Sequence, residues 1–166
     1  MNDSSKADRA MRLLYKGAYR AMRVYWALRR PDTHGALVGI WHQGQILLVK
    51  NSYVPYRSLP GGYVRKGEPA KQAALRELEE ELGLRGFTEA DLVPSVDLTH
   101  EWEGKHDHVE IFTLELARRP EVRIDNREVV DWGFQTPRQA LDQHLFPPVV
   151  AHIQAYLAAK ARDGAH

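Results

Sequence analysis

The chain has 166 residues, no cysteine and a formal net charge of +1. That length supports one domain with a real core, and the missing cysteine excludes disulfides, thiolate zinc sites and cysteine nucleophiles. No apolar run approaches a membrane span, and the N-terminal MNDSSKADRAMRLLYKG lacks the apolar centre of a secretory signal, so a cytoplasmic soluble protein is expected.

The small net charge conceals a division. Residues 1–31 carry eight basic side chains against Asp3 and Asp8, so the remainder, 32–166, holds −5. Residues 5–30 read as a helix, with Met11, Leu14, Ala18, Met22 and Tyr25 at three- and four-residue steps and Arg9, Arg12, Lys16, Arg20 and Arg23 opposite. Pro31 ends it. The expected organisation is an N-terminal amphipathic basic helix, 1–31, packed on the domain at 32–166 or on a second copy of the chain, its basic face in water. A membrane-surface helix or a phosphate-contacting one is the lesser reading. No stable membrane or nucleic-acid partner is expected, and the helix should matter for dimerisation or stability rather than chemistry.

GALVGIWH and QILLVKNSY, parted by Gln43-Gly44, signal a hairpin. A proline-stiffened loop, YVPYRSLPGG, leads to a helix that should start near Glu68 with Pro69 at its first position. Leu75, Leu78 and Leu82 form its apolar stripe, and Gly83 is its stop. Strands are expected around 93–101 and 108–117, joined by a hairpin connection with Gly104 at its tip, and again at 128–134. Thr136-Pro137-Arg138-Gln139 is a capping box starting a helix through about Leu145. Pro147-Pro148 opens the last helix, whose apolar face is Val150, Ile153, Tyr156 and Leu157.

The helix after Pro69 carries the chemistry. Glu77, Glu80 and Glu81 fall at i, i+3 and i+4, on one face. Like charges at that spacing repel, and a hard divalent cation with oxygen ligands is the economical remedy.

Gly62, Glu68, Arg76, Glu77, Leu78, Glu80, Glu81, Gly83 and Leu84 match Gx5Ex7REUxEExGU, where U is bulky and aliphatic. In this the chain resembles the Nudix hydrolases, of the MutT-like kind, with no fixed position departing from the pattern. The resemblance implies an α/β/α sandwich: a mixed sheet between helices, with the box as loop–helix–loop, to which the basic N-terminal helix is an addition. It implies hydrolysis of a pyrophosphate bond in a nucleoside diphosphate linked to another moiety, with Mg²⁺ or Mn²⁺. Glu80 and Glu81 match the principal metal ligands. Glu77 matches a further ligand or the base that activates water. The backbone carbonyl near Gly62 supplies another ligand in this family, and Arg76 resembles the arginine that orients the adjacent glutamate. Glu68 is either a metal ligand or a cap on free helix N–H groups.

A late acidic group is expected from Glu101, Glu103, Asp107, Glu110, Glu128 or Asp131, with Glu128 favoured over Glu110. Tyr56, Tyr63 and Trp102 are candidate base-stacking platforms, and Arg57 and Lys50 candidate phosphate contacts. His100, His106 and His108 read as a polar hairpin rather than a transition-metal site, for want of a third ligand. Markers for ADP-ribose, diadenosine polyphosphate, NADH and coenzyme A substrates are absent. Compact length favours a nucleoside triphosphate or a nucleotide sugar. The alternative is a nucleotide-binding sensor or regulator on the same fold, without turnover.

Overall fold

The computed structural model describes residues 6–163. Helix α1 (Lys6–Arg29) precedes strand β1 (Asp32–His42), β2 (Gln45–Asn51), the short β3 (Gly61–Tyr63), helix α2 (Ala70–Leu82), β4 (Val93–Trp102), β5 (Lys105–Glu115), β6 (Val129–Gln135), α3 (Pro137–Leu141) and α4 (Pro147–Asp163). The sheet runs β4-β5-β1-β2-β6, with β3 also paired to β1. The β1–β5 pairing is parallel and the others antiparallel, the mixed sheet that was expected.

The two faces of the sheet follow from the two-residue strand period. Ala36, Val38, Ile40, Leu47, Val49, Phe112 and Leu114 pack against Ala73, Ala74, Leu78 and Leu82 of α2. Leu37, Trp41, Ile46, Leu48, Val109 and Ile111 pack against Val149, Ile153 and Tyr156 of α4. Helices on both faces complete an α/β/α sandwich.

Local chemistry sets the joints. Gln43 and Gly44 both have positive φ, 49° and 73°, as a two-residue hairpin turn requires. Glu103 and Gly104, at 52° and 84°, repeat the device between β4 and β5. The strands therefore run into what reads as a loop at 100–108, since a two-residue turn needs no longer connection. Helix α2 ends where Gly83 enters the left-handed region at φ 67° and gives its N–H to Glu79 O.

Pro69 is the residue before α2 (φ −64°, ψ 141°), not its first turn, and no side chain caps that end. Helix α3 has its Thr136–Gln139 capping box but stops at Leu141 rather than Leu145. In α4 the buried face is Pro148, Val149, His152, Ile153 and Tyr156, one residue round from the expected stripe, and Leu157 is exposed.

After two paired positions β1 and β2 diverge, and residues 58–63 fill the opening. Ser58 pairs with Val49, the Val38 N–H donates to Pro60 O, and β3 pairs with residues 35–37 of β1. Gly61 is obligatory here: its φ is 143°, and an added Cβ would lie 2.3 Å from Ala36 O. This seats the glycine turn inside the sheet, directly beside α2.

Helix α1 differs most from expectation. Tyr15, Ala18, Tyr19, Met22 and Trp26 face the domain, while Leu14 and Tyr25 are exposed. One end is held where Trp26 is buried over Lys105 and Gly104 would meet Ala27 at 3.1 Å if it bore a Cβ. The other is held by Arg12 Nε donating to Asn126 O (2.7 Å) and by the Arg127–Asp8 ion pair (3.1 Å).

Candidate active site

The box closes round Arg76. Its guanidinium is bidentate to Glu68 (Nε–Oε1 3.0 Å, Nη2–Oε2 3.1 Å), reaches Glu77 Oε1 at 2.5 Å and Glu80 at 3.4 Å, and donates to Tyr63 O at 3.1 Å. A planar fork is needed for this, because one group must meet several acceptors at fixed angles. Glu68 takes a further hydrogen bond from the Arg65 N–H, and these bonds hold its carboxyl down at about 2. It therefore does not cap α2; it braces Arg76.

Glu77 is pressed against the glycine turn. A Cβ on Gly62 would lie 2.5 Å from Glu77 Oε1, so the residue there must be glycine for the carboxylate to sit where it does. Glu81 is buried, accepting from Gly61 N–H at 2.9 Å and lying 3.5 Å from the Asn51 amide. Burial raises the carboxyls of Glu77 and Glu81, and Glu128 pushes both further up. Glu80 is half exposed at the rim, 3.6 Å from Arg65.

Of the late acidic candidates, the fold delivers Glu128 to this cluster. It lies just before β6, where Asn51 pairs with Val129, and Tyr53 O–H donates to it at 2.7 Å. The others are engaged elsewhere: Glu110 with His34, Asp131 with Arg57, Glu101 with His106, Asp107 with Lys105, and Glu103 with Tyr19. The carboxylate donors at Glu77, Glu81 and Glu128 suit a hard divalent cation, which would offset the burial and the neighbouring negative charge that raise the carboxyls of Glu77 and Glu81. His106 and His108 hold Asp32 and Asp97, while His100 packs against Trp102 and Phe146. His34, His108 and Glu110 do bring three ligand atoms within 4.8 Å of one another. However, the two rings are stacked 4.4 Å apart, so one ion cannot lie in both ring planes.

A cavity of about 330 Å³ adjoins the cluster at Asn51, Gly61, Gly62 and Glu128. Tyr56, Tyr63 and Trp102 line it. Tyr56 is stacked with Phe146 and edge-on to Trp102. Arg57 is not among the lining residues; it turns to Asp131. Lys50 ties down its own loop, donating to Val54 O at 2.6 Å.

Two sets of lining residues have places that the sequence reading did not assign, although Asp107 was among its late acidic candidates. Lys105 and Asp107 are buried as a pair 3.0 Å apart, with the Lys105 ammonium over the rings of Trp26 and Tyr63. Tyr15, Tyr19 and Trp26 of α1 form the roof, and Tyr53 stacks obliquely on Tyr15 and Tyr19. The alternation of Lys105 and Asp107 along β5, both pointing to one face, was the available signal for the first set.

A family model for the NUDIX domain matches residues 33–156. A Bacillus subtilis protein provisionally described as an 8-oxo-dGTP diphosphatase is 46% identical over 61 residues, which span 36% of this chain and 41% of that protein's length. Among solved structures, a MutT NUDIX hydrolase from Burkholderia pseudomallei is 26% identical with a TM-score of 0.63, covering 75% of this chain and 97% of that one. A C. elegans Ap4A hydrolase, 24% identical, shares the fold with a TM-score of 0.66 over 78% of this chain and 98% of its own. A family match that begins in β1 and ends in α4, on a sandwich shared with solved members, decides the affiliation: the chain belongs to the Nudix hydrolases, a pyrophosphohydrolase by class.

Proposed function

We propose that the chain cleaves a pyrophosphate bond in a nucleoside triphosphate or a nucleotide sugar by water attack on phosphorus, with Mg²⁺ or Mn²⁺. The observation that carries this reading is the meeting of Glu77, Glu81 and Glu128 with an aromatic cavity across Gly61 and Gly62. Glu80, Glu81 and a backbone carbonyl of the Gly61-Gly62 turn would hold the metal, with Glu128 added from the start of β6. Glu77 is shared between metal and water. When bound, the cation offsets charge on the phosphate oxygens and acidifies water.

The remaining steps belong to the chain. Arg76, fixed by Glu68, keeps the Glu77 carboxylate aimed across Gly62. Burial raises the proton affinity of Glu77, which suits a group that accepts a proton from water. Tyr56, Tyr63 and Trp102 offer π-faces to a nucleobase, and the Lys105–Asp107 pair offers a donor and an acceptor to its edge. Positioning of this kind supplies most of the catalysis that protein groups give to phosphoryl transfer.

The test is a panel of nucleoside triphosphates, nucleotide sugars and dinucleoside polyphosphates with each metal, with products separated by chromatography. Metal-dependent release of a nucleoside monophosphate from the first two classes supports the reading. Nucleotide binding with no product from any class means a sensor instead.

A further inference from the structure

Helix α1 has two apolar faces, and only one is used by the domain. Six of the ten exposed large hydrophobic side chains among the described residues lie on it. Leu13, Leu14, Val24 and Leu28, exposed by 62–78%, fall within an arc of about 100° at helical spacing. Ala10, Gly17 and Ala21 complete the same strip. Arg9, Lys16, Arg20 and Arg23, all exposed, form a narrower basic flank along one side of it. The inward face is anchored at Trp26 and Arg12, so the outer strip cannot be buried by rolling the helix.

We propose that this outer face docks on a lipid bilayer carrying anionic headgroups. An exposed apolar strip of this size marks an interaction surface, and a strip with a flanking row of Lys and Arg is the pattern of a helix lying in the plane of a membrane interface. No helix among the described residues is long and apolar enough to cross a membrane, so the helix lies on the surface. Charge decides between a bilayer and a second copy of the chain. Residues 1–31 hold eight basic side chains against two acidic ones, so pairing two such helices brings like charges together, whereas anionic headgroups neutralise them. The catalytic cavity then sits behind one helix, roughly 10 Å from the headgroups.

The test is flotation of the full chain with phosphatidylcholine vesicles, with and without phosphatidylglycerol. The expected result is retention on the anionic vesicles alone, weakened by high salt. Leu13→Glu/Val24→Glu/Leu28→Glu should lower retention at least tenfold, with circular dichroism and nucleotide turnover in vesicle-free buffer unchanged. Should that variant misfold, Arg9→Ala/Lys16→Ala/Arg20→Ala decides, by losing the preference for anionic vesicles. Absence of retention on anionic vesicles overturns the proposal, as does equal retention of wild type and of a folded variant. If light scattering finds a dimer that the glutamate variant splits, with no vesicle binding, the occupant is a second copy.

Discussion

Glu81 shows how one side chain sets stability against activity. An ionised carboxylate that is 8% exposed and faces Glu77 and Glu128 is unfavourable in the folded chain without a cation. Glu81→Gln keeps the shape and the hydrogen bond from Gly61 while removing the charge. Turnover should fall at least about a hundredfold, equivalent to about 2.7 kcal/mol, while the melting temperature in metal-free buffer holds or rises. A variant that turns over normally, or that loses activity only by melting, would remove Glu81 from the ligand set. Gly62→Ala asks a different question. The new methyl meets the Glu77 carboxylate, which Arg76 prevents from swinging freely, and Gly62 has no positive φ to strain. The expected outcome is a folded protein with turnover reduced at least about tenfold, or about 1.4 kcal/mol, and a KM changed less than kcat. A wild-type rate would show that the position of Glu77 is unimportant.

At the scale of elements, α1 is a roof over the cavity, not an appendage. Tyr19 packs against Tyr53, and Tyr53 donates to Glu128, so the helix reaches the acidic cluster through one intervening ring. Tyr19→Ala should raise KM several-fold with kcat changed less, because it removes a wall and not a reacting group. An unchanged KM in a folded variant would mean that substrate never touches α1. This role was illegible in the sequence for a physical reason. Apolar residues occur on both sides of the helix, so periodicity gives the helix but not which face turns inward. Of the expected face, Ala18 and Met22 border the cavity, while Leu14 and Tyr25 are solvent-exposed. Features fixed by local chemistry were legible: the Gln43-Gly44 turn, the Gly83 stop, the Thr136 cap, and the spacing of the glutamates. Glu128 was favoured over Glu110 but not singled out from the other acids, because its place depends on β6 pairing with β2. The short strand β3 was hidden likewise, since it forms only where β1 and β2 diverge.

Across the whole molecule, His152 ties three elements and makes folding sensitive to acid. It is fully buried on α4, where its Nε2 accepts from Trp41 Nε1 on β1 at 3.0 Å and its Nδ1 lies 2.8 Å from Ser95 Oγ on β4. Gly39 makes the space: a Cβ there would lie 1.9 Å from Nε2. Since Trp41 can only donate, Nε2 carries no proton and the ring is neutral. Burial pushes it from 6.5 down to about 4. The unfolded chain therefore binds a proton that the folded chain refuses between those two values, and stability must fall as pH falls through that window. At about 1.4 kcal/mol per pH unit, the separation is worth about 3 kcal/mol. Glu77 and Glu81 act in the opposite sense, since their raised carboxyls take up protons first in the folded state, so wild type alone does not isolate the effect. His152→Gln retains an acceptor for Trp41 but does not titrate. Urea denaturation of both proteins between pH 7 and pH 4 should show wild type losing about 3 kcal/mol more than the variant, with parallel curves counting against a neutral buried ring.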